Sequence, residues 1–429
     1  MSKFNIAVIG LGYVGLPLAY HLSKKYCVTG IDLKKTRIQE LKNYYDSTDE
    51  ISSEKLKEID LNDIPNKIGL SLTSSYNDIL NCDIYIVTVP TPVDVNKNPD
   101  LTPLLNASKQ IGQILSFGNI VIYESTVYPG ATEEICIPQL EKYSGLSFNK
   151  DFFVGYSPER INPGDKKNTL TTIKKVVSGS NRKCQKIVQE LYNSIVKNGT
   201  HLAPSIKVAE ASKVIENAQR DLNISFMNEL ALIFDKMDID TQDVIDAAST
   251  KWNFLKFQPG LVGGHCISVD PYYLAHKAKS LGYSPDVIYS GRKVNEFIPT
   301  FIAEKSIRLF NEKENKDPKS ALILGATFKE NCPDIRNSRV FDIKNRLEAA
   351  QIDVSIFDSY ASVDEVNIDY GVNLIDCFEN LNKSYDIIIL AVSHKQFLEK
   401  KFIEFLTFSN SIIFDVKGFL PKEIINSRL

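Results

Sequence analysis

The chain has 429 residues, of which 43% are hydrophobic and 24% are charged, and its formal net charge is −3. That length exceeds one ordinary core and predicts two or three domains of a soluble globular protein. The near-neutral charge excludes the broad basic face that nucleic-acid binding requires, and because no apolar run reaches about 18 residues we expect no membrane-spanning helix and no membrane partner.

The first part of the chain alternates short apolar strands with helical segments. The pattern predicts a helix over about residues 14–25 and strands at residues 5–9, 27–31, 83–89, 119–123, 152–156 and 175–178. Strands that alternate with helices pair in parallel through right-handed crossovers. We therefore expect a doubly wound, Rossmann-type sheet that begins at the N-terminus, where no signal-peptide pattern is present.

The middle of the chain has a different pattern. Residues 206–237 contain neither proline nor glycine, and their apolar positions recur at helical spacing. This predicts one long helix, followed by further helices to about residue 301. We expect the long helix to serve as a spine between two α/β units and as a surface for a homodimer.

The last third returns to alternating strands and helices. We predict a helix over residues 340–350 and strands at 320–325, 353–357, 386–392 and 411–415. This second Rossmann-like unit lacks the full GxGxxG motif, so it is expected to bind something other than a dinucleotide in the usual way. The hydrophilic residues 311–319 are the predicted junction.

A dinucleotide-binding motif follows the first predicted strand. The GxGxxG match is Gly10-Leu11-Gly12-Tyr13-Val14-Gly15. Its glycines permit a tight turn, close approach of a pyrophosphate to the helix N-terminus, and helix–strand packing. Asp32 ends the second strand, where a carboxylate binds both ribose hydroxyls and repels a 2′-phosphate, which favours NAD. Because of the nearby Arg37, NADP stays an alternative cofactor. The alternative to a dinucleotide site is a glycine turn of an unrelated α/β protein.

Two further segments follow predicted strands, Val89-Pro90-Thr91-Pro92 and Ser125-Thr126-Val127-Tyr128-Pro129-Gly130. Ligands of open α/β sheets bind beyond the carboxyl ends of strands. We assign Pro90, Thr91, Ser125 and Thr126 to the cofactor site. Ordinary proline turns are the alternative.

Seven cysteines are widely spaced and include no CxxC motif: Cys27, Cys82, Cys136, Cys184, Cys266, Cys332 and Cys377. Neither zinc nor disulfides are therefore expected, and reduced thiols in the cytoplasm are the simplest interpretation. Cys82 and Cys136 have the sequence context of packed residues. Cys266 instead follows three glycines in residues 259–271, where a thiol can be accessible. A thiol beside a nicotinamide can capture an aldehyde and form a thioester; a buried structural cysteine is the alternative.

Polar side chains at two other places are candidates for catalysis. Lys213 and Asn217 lie four residues apart and share one face of the long helix, with Glu210 nearby, so a Lys and an amide there can stabilise an oxyanion. A solvated helix face is the alternative. Glu159, in Ser157-Pro158-Glu159-Arg160, can act as a general base through water. A salt bridge in a surface turn is the alternative.

Taken in order, these motifs resemble the nucleotide-sugar 6-dehydrogenase family, which includes UDP-glucose and GDP-mannose dehydrogenases. The resemblance covers nearly the whole chain. It rests on GLGYVG at 10–15, VPTP at 89–92, STVYPG at 125–130, SPER at 157–160, the pair Lys213 and Asn217, GGHC at 263–266 and FKENCPDIRNS at 328–338.

The resemblance implies an α/β fold of three domains: an N-terminal Rossmann NAD domain (1–200), a central helical dimerisation domain with one long helix and the cysteine loop (201–312), and a C-terminal Rossmann-like domain for the UDP sugar (313–429). It implies oxidation of the sugar C6 alcohol by four electrons, with two NAD consumed per product.

The resemblance also implies the roles of individual residues. Cys266 matches the nucleophile, Lys213 the residue for oxyanion stabilisation or proton transfer, and Asn217 its partner. Glu159 matches the residue that assists thioester hydrolysis, and Asp270 the one that assists the thiol or water. The implied substrate-binding residues are Glu159, Arg160, Lys213, Asn217, Lys256, Gly263, His265, Arg292, Phe328 and Lys329. Arg336 resembles a residue that reaches toward NAD, and Lys417 stands where relatives use an arginine.

The cysteine loop indicates a branch of the family. Its continuation His265-Cys266-Ile267-Ser268-Val269-Asp270-Pro271-Tyr272-Tyr273-Leu274 resembles the branch that acts on UDP-N-acetylhexosamines for surface polysaccharides (capsule or O-antigen). Ser268 stands where glycine is more usual. UDP-GlcNAc and UDP-GalNAc are the expected substrates, with UDP-ManNAc and UDP-glucose as alternatives. A two-electron dehydrogenase and a non-catalytic nucleotide-sugar-binding regulator are the rival functions.

Overall fold

The computed structural model describes residues 4–59, 68–94, 96–161, 168–264, 267–382 and 384–429. The chain divides into two compact units. The first comprises Met1–Glu216 and Tyr272–Tyr283, and the second comprises Asn217–Pro271 and Ser284–Leu429. Each unit is built around its own sheet.

The first unit contains a sheet with the order β3-β2-β1-β4-β5-β6-β7-β8. Its strands are β1 (Asn5–Ile9), β2 (Cys27–Ile31), β3 (Gly69–Thr73), β4 (Ile84–Val87), β5 (Ile120–Tyr123), β6 (Phe153–Tyr156), β7 (Lys175–Gly179) and β8 (Thr200–Leu202). All pairs are parallel except β6 with β7, which is antiparallel. The expected parallel pairing is wrong at that place, because the described part of the β6–β7 connection holds no crossover helix.

Helices cover this sheet, and its central strands are buried as uninterrupted apolar runs, as in parallel sheets with both faces covered. The helices are α1 (Gly15–Ser23), α2 (Lys35–Lys42), α3 (Ser53–Glu58), α4 (Thr102–Ile114), α5 (Ile137–Ser144) and α6 (Arg182–Asn193). The strands β3 and β8 were not predicted. The three residues of β8 are mostly exposed and carry no apolar pattern.

The central helices are α7 (Ile206–Lys236), α8 (Thr241–Ala248), α9 (Asp270–Ser280) and α10 (Asp286–Glu314). The predicted long helix is confirmed as α7. The helix α10 is nearly as long, although Pro299 lies inside it, and a proline normally indicates a helix end. The predicted junction at 311–319 therefore begins later, after Asn315 at φ +53°. No helix in the described ranges is long and apolar enough to cross a membrane.

The second unit contains a parallel sheet with the order β10-β9-β11-β12-β13. Its strands are β9 (Ser320–Leu324), β10 (Asp353–Phe357), β11 (Ile387–Leu390), β12 (Ile412–Asp415) and β13 (Ser427–Arg428), and its helices are α11 (Val340–Ala349), α12 (Val363–Tyr370) and α13 (Lys400–Phe408). The predicted strands and α11 are confirmed.

The strand orders locate the ligand edge of each sheet. The first six strands of the first unit follow the dinucleotide-binding order 3-2-1-4-5-6, and the second unit follows the flavodoxin-like order 2-1-3-4-5. Ligands of such sheets bind beyond the carboxyl ends of the strands where the order reverses. These places are the ends of β1 and β4 in the first unit and of β9 and β11 in the second.

A turn of the same geometry follows the first strand of each unit. Gly10 has φ +94° and its N–H donates to the carbonyl of Ile31 over 2.8 Å. Gly325 has φ +96° and its N–H donates to the carbonyl of Phe357 over 2.8 Å. In both units a glycine turns the chain at the strand order reversal.

Replacing Gly325 with Ala should destabilise the second unit. A Cβ there would lie 2.5 Å from the Cβ of Val392, at a φ of +96°. Backbone strain and overpacking together predict a loss of about 2–4 kcal/mol in the free energy of unfolding, measured with urea. Gly371→Ala is the matched control, because Gly371 has φ +64° with nothing within 4 Å of its Cβ position. Its expected loss is about 1–2 kcal/mol; equal losses would contradict the packing explanation.

Candidate active site

The glycine-rich turn of the first unit has the shape that a pyrophosphate requires. Nothing lies within 4 Å of a Cβ position at Gly12. A Cβ at Gly15 would collide with the carbonyl of Gly10 and the hydroxyl of Thr88. The helix α1 begins at Gly15 without a side-chain cap. The N–H of Leu16 donates to the carbonyl of Gly12 and Pro17 has no N–H, so the positive end of the helix dipole is what favours an anion there. Tyr13 and Val14 lie half-buried in the same turn.

Asp32 holds this turn and carries the predicted ribose-binding carboxylate. Its Oδ2 accepts from the N–H of Leu11 over 3.0 Å and its Oδ1 from the N–H of Lys34 over 2.9 Å. A carboxylate has about four lone-pair positions, so acceptor capacity remains for ribose hydroxyls. The open glycine turn, the uncapped helix and this carboxylate fit NAD.

Arg37 is bonded to the backbone of the glycine-rich turn. Its Nε donates to the carbonyl of Leu11 over 2.9 Å, and its guanidinium pairs with Asp46 at 2.6 Å. Burial raises the pKa of Asp46, but hydrogen bonds from Thr48, Ile51 and Arg37 outweigh it and hold the pKa below the usual value. Arg37 is the residue that left NADP as an alternative cofactor, and its guanidinium donors bond to groups of the protein itself.

The two proline-containing segments come together at the ends of β4 and β5. Thr91 donates its hydroxyl to the carbonyl of Thr126 over 2.7 Å, and Ser125 donates to the carbonyl of Val89 over 2.6 Å. Pro90 is exposed between them. These two hydrogen bonds from the hydroxyls join the segments at the edge of the sheet where ligands of this fold bind.

Glu210 connects α7 to the second of these loops. Its carboxylate accepts from the N–H groups of Gly130 and Thr132 at 2.5 and 2.9 Å, and the side chain is fully buried. Burial raises the pKa of Glu210 to about 7, although these hydrogen bonds act in the opposite direction. The helix that carries Lys213 is therefore attached to the loop that contains Ser125 and Thr126.

Lys213 and Asn217 lie on α7 one helical turn apart, and both are buried. The alternative of a solvated helix face is therefore wrong. Asn217 donates its Nδ2 to Oδ2 of Asp270 over 2.6 Å, and Asp270 is also buried. Asp270 begins α9, directly after the cysteine loop. An amide and a carboxylate from the two predicted motifs are thus in contact.

Glu159 is buried after β6. Its Oε1 accepts from the N–H groups of Arg160 and Ile161 at 2.5 and 2.6 Å, and its Oε2 lies 3.1 Å from Nζ of Lys175. Arg160 forms an ion pair with Glu216 at 2.8 Å. The salt bridge considered as the alternative at this turn is therefore formed by Arg160 with Glu216. Glu159 instead contacts the buried Lys175.

The cysteine loop is held by hydrogen bonds in the residues that precede and follow His265 and Cys266. His265 and Cys266 lie outside the described residues. Before them, Gly264 has φ +80° and donates to the carbonyl of Asn337. After them, Ser268 donates to the carbonyl of Gly264 over 2.5 Å and accepts from Asn337 at 2.7 Å. The serine that replaces the usual glycine therefore closes the loop.

The glycines before the cysteine have a packing reason that the sequence did not reveal. A Cβ at Gly263 would lie 2.6 Å from the carbonyl oxygen of Asn337, and one at Gly264 would lie 2.8 Å from the ring of Phe328. Gly260 exchanges two hydrogen bonds with the side chain of Asn228 on α7, at 2.8 and 3.0 Å. The glycine stretch packs closely against the FKENCPDIRNS motif.

The six described cysteines are free thiols, and all but Cys377 are buried. Burial raises the pKa of Cys82 and of Cys136 to about 12 and that of Cys184 to about 11. These thiols hold little thiolate near neutral pH, as expected for packed residues.

The second unit has a cleft at its own strand order reversal. It lies beyond the ends of β9, β11 and β12. Its lining includes Gly263, Phe328, Lys329, Glu330 and Lys417. Nζ of Lys417 lies 3.7 Å from Oε2 of Glu330. The predicted substrate residues Phe328 and Lys329 thus line one cleft together with Lys417, and the two lysines are cations of the kind that a diphosphate needs.

Asp358 and His394 fix the segment that carries Phe328 and Lys329. Oδ2 of Asp358 accepts from the N–H of Ala326 over 2.7 Å and contacts Nε2 of His394 at 3.0 Å. Nδ1 of His394 accepts from the N–H of Asn331 over 2.9 Å. Because Nδ1 is an acceptor, the neutral imidazole carries its proton on Nε2.

Three predicted binding residues have other surroundings. Arg292 is buried on α10 and forms an ion pair with Asp221 of α7 at 2.6 Å. Arg336 is exposed and paired with Asp334 at 2.5 Å in the second unit. Lys256 is exposed in the segment before the cysteine loop. The structure does not bring these three cations together.

Sequence reasoning missed several residues that hold the site. Thr88 bonds the glycine turn, Asn337 bonds the cysteine loop, and Lys175 faces Glu159. The only available signals were weak: Lys175 begins an apolar strand, and Asp358 ends one as Asp32 does.

The first unit has a dinucleotide-type sheet with an open glycine turn and a carboxylate placed for a ribose. The second α/β unit has a cleft of its own. Together these features are typical of an NAD-dependent dehydrogenase that binds its substrate in a second α/β unit. Sequence profiles of the UDP-glucose/GDP-mannose dehydrogenase family match residues 4–196 (NAD binding domain), 207–297 (central domain) and 322–422 (UDP binding domain). The chain belongs to this family and is an NAD-dependent nucleotide-sugar dehydrogenase.

Individual relatives match over the full length. UDP-N-acetyl-D-glucosamine 6-dehydrogenase of Pseudomonas aeruginosa is 49% identical over 100% of both chains. Protein CapL of Staphylococcus aureus is 50% identical over 98% of this chain and 97% of its own. The structure of UDP-D-ManNAc dehydrogenase from Pyrococcus horikoshii has a TM-score of 0.85 at 28% identity, covering 99% of this chain and 98% of that one.

Replacing Asp32 with Ala should raise KM for NAD by about 10- to 100-fold, because a charge-assisted hydrogen bond contributes about 1.5–3 kcal/mol. The preference for NAD over NADP should fall at the same time. Asp32→Asn keeps an acceptor for the N–H of Leu11 and so tests the charge alone. Unchanged KM values for both cofactors in Asp32→Ala would contradict the assignment.

Glu210 predicts a pH dependence of stability. Its pKa is raised from 4.5 to about 7 by burial. Between these values the unfolded chain releases a proton that the native protein retains, so the free energy of unfolding falls as pH rises through this window. In Glu210→Gln this contribution should be absent, so the difference in unfolding free energy between wild type and variant should change from about pH 4.5 to 7. A difference in unfolding free energy that stays constant over this pH range would contradict the raised pKa of Glu210.

Proposed function

We propose that the protein oxidises the C6 alcohol of a UDP-N-acetylhexosamine, UDP-GlcNAc or UDP-GalNAc, to the uronic acid, by four electrons and with two NAD. The observation that carries the chemistry is the buried pair of Lys213 and Asn217 on one helix, with Asn217 bonded to Asp270 beside the cysteine loop. The name of the full-length relative from Pseudomonas aeruginosa supports the N-acetylglucosamine nucleotide as substrate.

NAD bound at the glycine turn supplies the hydride acceptor for both oxidation steps. In the first step the C6 carbon loses a hydride and the C6 hydroxyl loses its proton to water, so that the alcohol becomes an aldehyde. Lys213 and Asn217 stabilise the oxygen on C6 as negative charge develops there. In this proposal the Asp270 carboxylate orients the Asn217 amide through their 2.6 Å hydrogen bond.

The second oxidation needs a nucleophile, which we assign to Cys266. Its thiolate adds to the aldehyde carbon and gives a thiohemiacetal; loss of a second hydride from that carbon gives a thioester. Water then adds to the thioester carbonyl while Glu159 takes a proton from it. The carbon–sulfur bond breaks, sulfur leaves as the thiolate, and the uronate is released.

The remaining assignments follow the three matched regions. Residues 1–200 bind NAD, residues 313–429 bind the UDP sugar in the cleft with Phe328 and Lys329, and residues 201–312 form the homodimer interface. Exposed apolar side chains support that interface, since large exposed apolar patches mark interaction sites; they include Phe226, Ile233, Trp252 and Phe297. The capsule-related name of the Staphylococcus aureus relative supports a role in surface polysaccharide synthesis.

UDP-ManNAc is the second candidate substrate, because the structural relative from Pyrococcus horikoshii is a UDP-D-ManNAc dehydrogenase. Initial rates with UDP-GlcNAc, UDP-GalNAc, UDP-ManNAc and UDP-glucose, measured side by side, distinguish these sugars. The expected order places an N-acetylglucosamine or N-acetylgalactosamine nucleotide first. The highest rate with UDP-glucose would contradict the proposed branch.

Cys266→Ser should abolish formation of the uronate, because the weaker oxygen nucleophile cannot replace the thiolate. With wild type, the ratio of NADH formed to UDP-GlcNAc consumed should be two. Cys377→Ser, at an exposed cysteine, is the control and should keep the wild-type rate. Full turnover by Cys266→Ser, or one NADH per sugar with released aldehyde, would contradict the thioester route. Absence of any NADH would support the non-catalytic alternative.

A further inference from the structure

Lys175 is a fully buried lysine whose ammonium has three acceptors. Its Nζ donates to Oε2 of Glu124 at 2.7 Å, to Oε2 of Glu159 at 3.1 Å and to the carbonyl of Pro158 at 3.3 Å. Three acceptors use all three ammonium hydrogens. Transfer of an ammonium from water to the interior costs several kcal/mol, and only such complete pairing offsets it. The position is therefore specific for a cation.

The ammonium joins two loops of the ligand edge in the first unit. Glu124 follows β5 and directly precedes Ser125, in the loop assigned to the cofactor. Pro158 and Glu159 follow β6, and Lys175 itself begins β7. Tyr192 of α6 donates its hydroxyl to Oε1 of Glu124. Each carboxylate oxygen of Glu124 thus has a hydrogen-bond partner, and Tyr192 anchors the Glu124–Lys175 pair to α6.

The cluster contains one cation and two carboxyl groups. Burial raises the pKa of Glu124 to about 7, against the opposing effect of Lys175. The carboxyl groups of Glu124 and Glu159 outweigh burial and raise the pKa of Lys175, so the lysine keeps its charge beside them.

The contacts of Glu159 leave it oriented but still able to accept. Its Oε1 takes the two backbone N–H groups of Arg160 and Ile161, and its Oε2 takes the ammonium. Within the described residues, three of about four lone-pair positions on the carboxylate are thereby occupied. The remaining position, on Oε2, is the one that a water molecule needs.

We infer that Lys175 is a positioning residue for the hydrolysis step: its ammonium fixes the Glu159 carboxylate in the orientation in which Oε2 accepts a proton from the attacking water. This inference rests on the role proposed for Glu159. Lys175 touches neither substrate nor cofactor in this scheme. It takes part in neither hydride loss, so its removal slows only the cleavage of the thioester carbon–sulfur bond by water.

The test removes the ammonium together with its other carboxyl partner, so that Glu159, still bonded to the N–H groups of Arg160 and Ile161, is the carboxyl group of the cluster that remains. Glu124→Gln serves as the parent, because it retains Lys175 beside Glu159, and Glu124→Gln/Lys175→Met is compared with it. Replacement of both partners of a buried pair by neutral groups of similar size is usually tolerated. Glu124→Gln/Lys174→Met is the matched control, since the neighbouring Lys174 is exposed.

Rapid mixing of each variant with NAD and UDP-GlcNAc separates the steps. The Lys175→Met variant should release a burst of two NADH per subunit at nearly the parent's rate. Its steady-state rate should then be at least about 100-fold lower, the lower end of the range expected for lost general base catalysis. Intact-protein mass spectrometry at steady state should show the acyl-sugar nucleotide bound to the chain. The Lys174→Met control should match the parent in all three measurements.

Two outcomes would overturn the role of Lys175. One is an equal fall of burst and steady-state rates, as a purely structural lysine would give, and the other is a steady-state rate equal to that of the parent. A failure of the proposed function is recognised separately. If the wild-type protein forms only one NADH per sugar, or no NADH, the thioester route fails before Lys175 is tested.

Discussion

In each unit, a single aspartate at the end of a strand holds the backbone turn that follows the neighbouring strand. Asp32 accepts from the N–H of Leu11 at 3.0 Å, and Asp358 accepts from the N–H of Ala326 at 2.7 Å. The turn begins with a glycine at positive φ in both cases. Because this bond fixes where the chain leaves the first strand, it determines the open face at Gly12 and the position of the segment that carries Phe328 and Lys329.

The two units use the same turn differently. Asp32 is partly exposed and retains acceptor capacity for a ribose. Asp358 is fully buried, and its remaining capacity goes to His394 and to the backbone of the following residues. The first turn therefore has acceptor capacity for a dinucleotide, whereas the second is filled by protein. In the function proposed above, the same backbone arrangement serves two ligands because the side chains around the carboxylate differ.

Sequence patterns predicted most of the strands, α7 and the chemistry-bearing motifs, because these depend on local periodicity and on glycines at strand ends. They could not predict contacts between distant segments. Lys175 and Glu124 are separated by 51 residues, and Asn337 and Gly264 by 73. The length of α10 was missed because Pro299 lies inside it, and the antiparallel β6–β7 pair because a connection without a described helix leaves strand direction open. The ion pair of Arg292 with Asp221 is likewise a contact that only the folded chain supplies, and the assignment of Arg292 to a ligand stays a prediction.

We propose that the first unit binds NAD through Asp32 and that the second binds the nucleotide sugar through the cleft at Phe328. A crystal structure of the protein with NAD and UDP-GlcNAc tests both assignments together. We expect density for the NAD ribose on the Asp32 carboxylate and for the UDP diphosphate beside Lys329 and Lys417. Density for NAD in the cleft of the second unit, or for the UDP sugar at the glycine turn of the first, would contradict them.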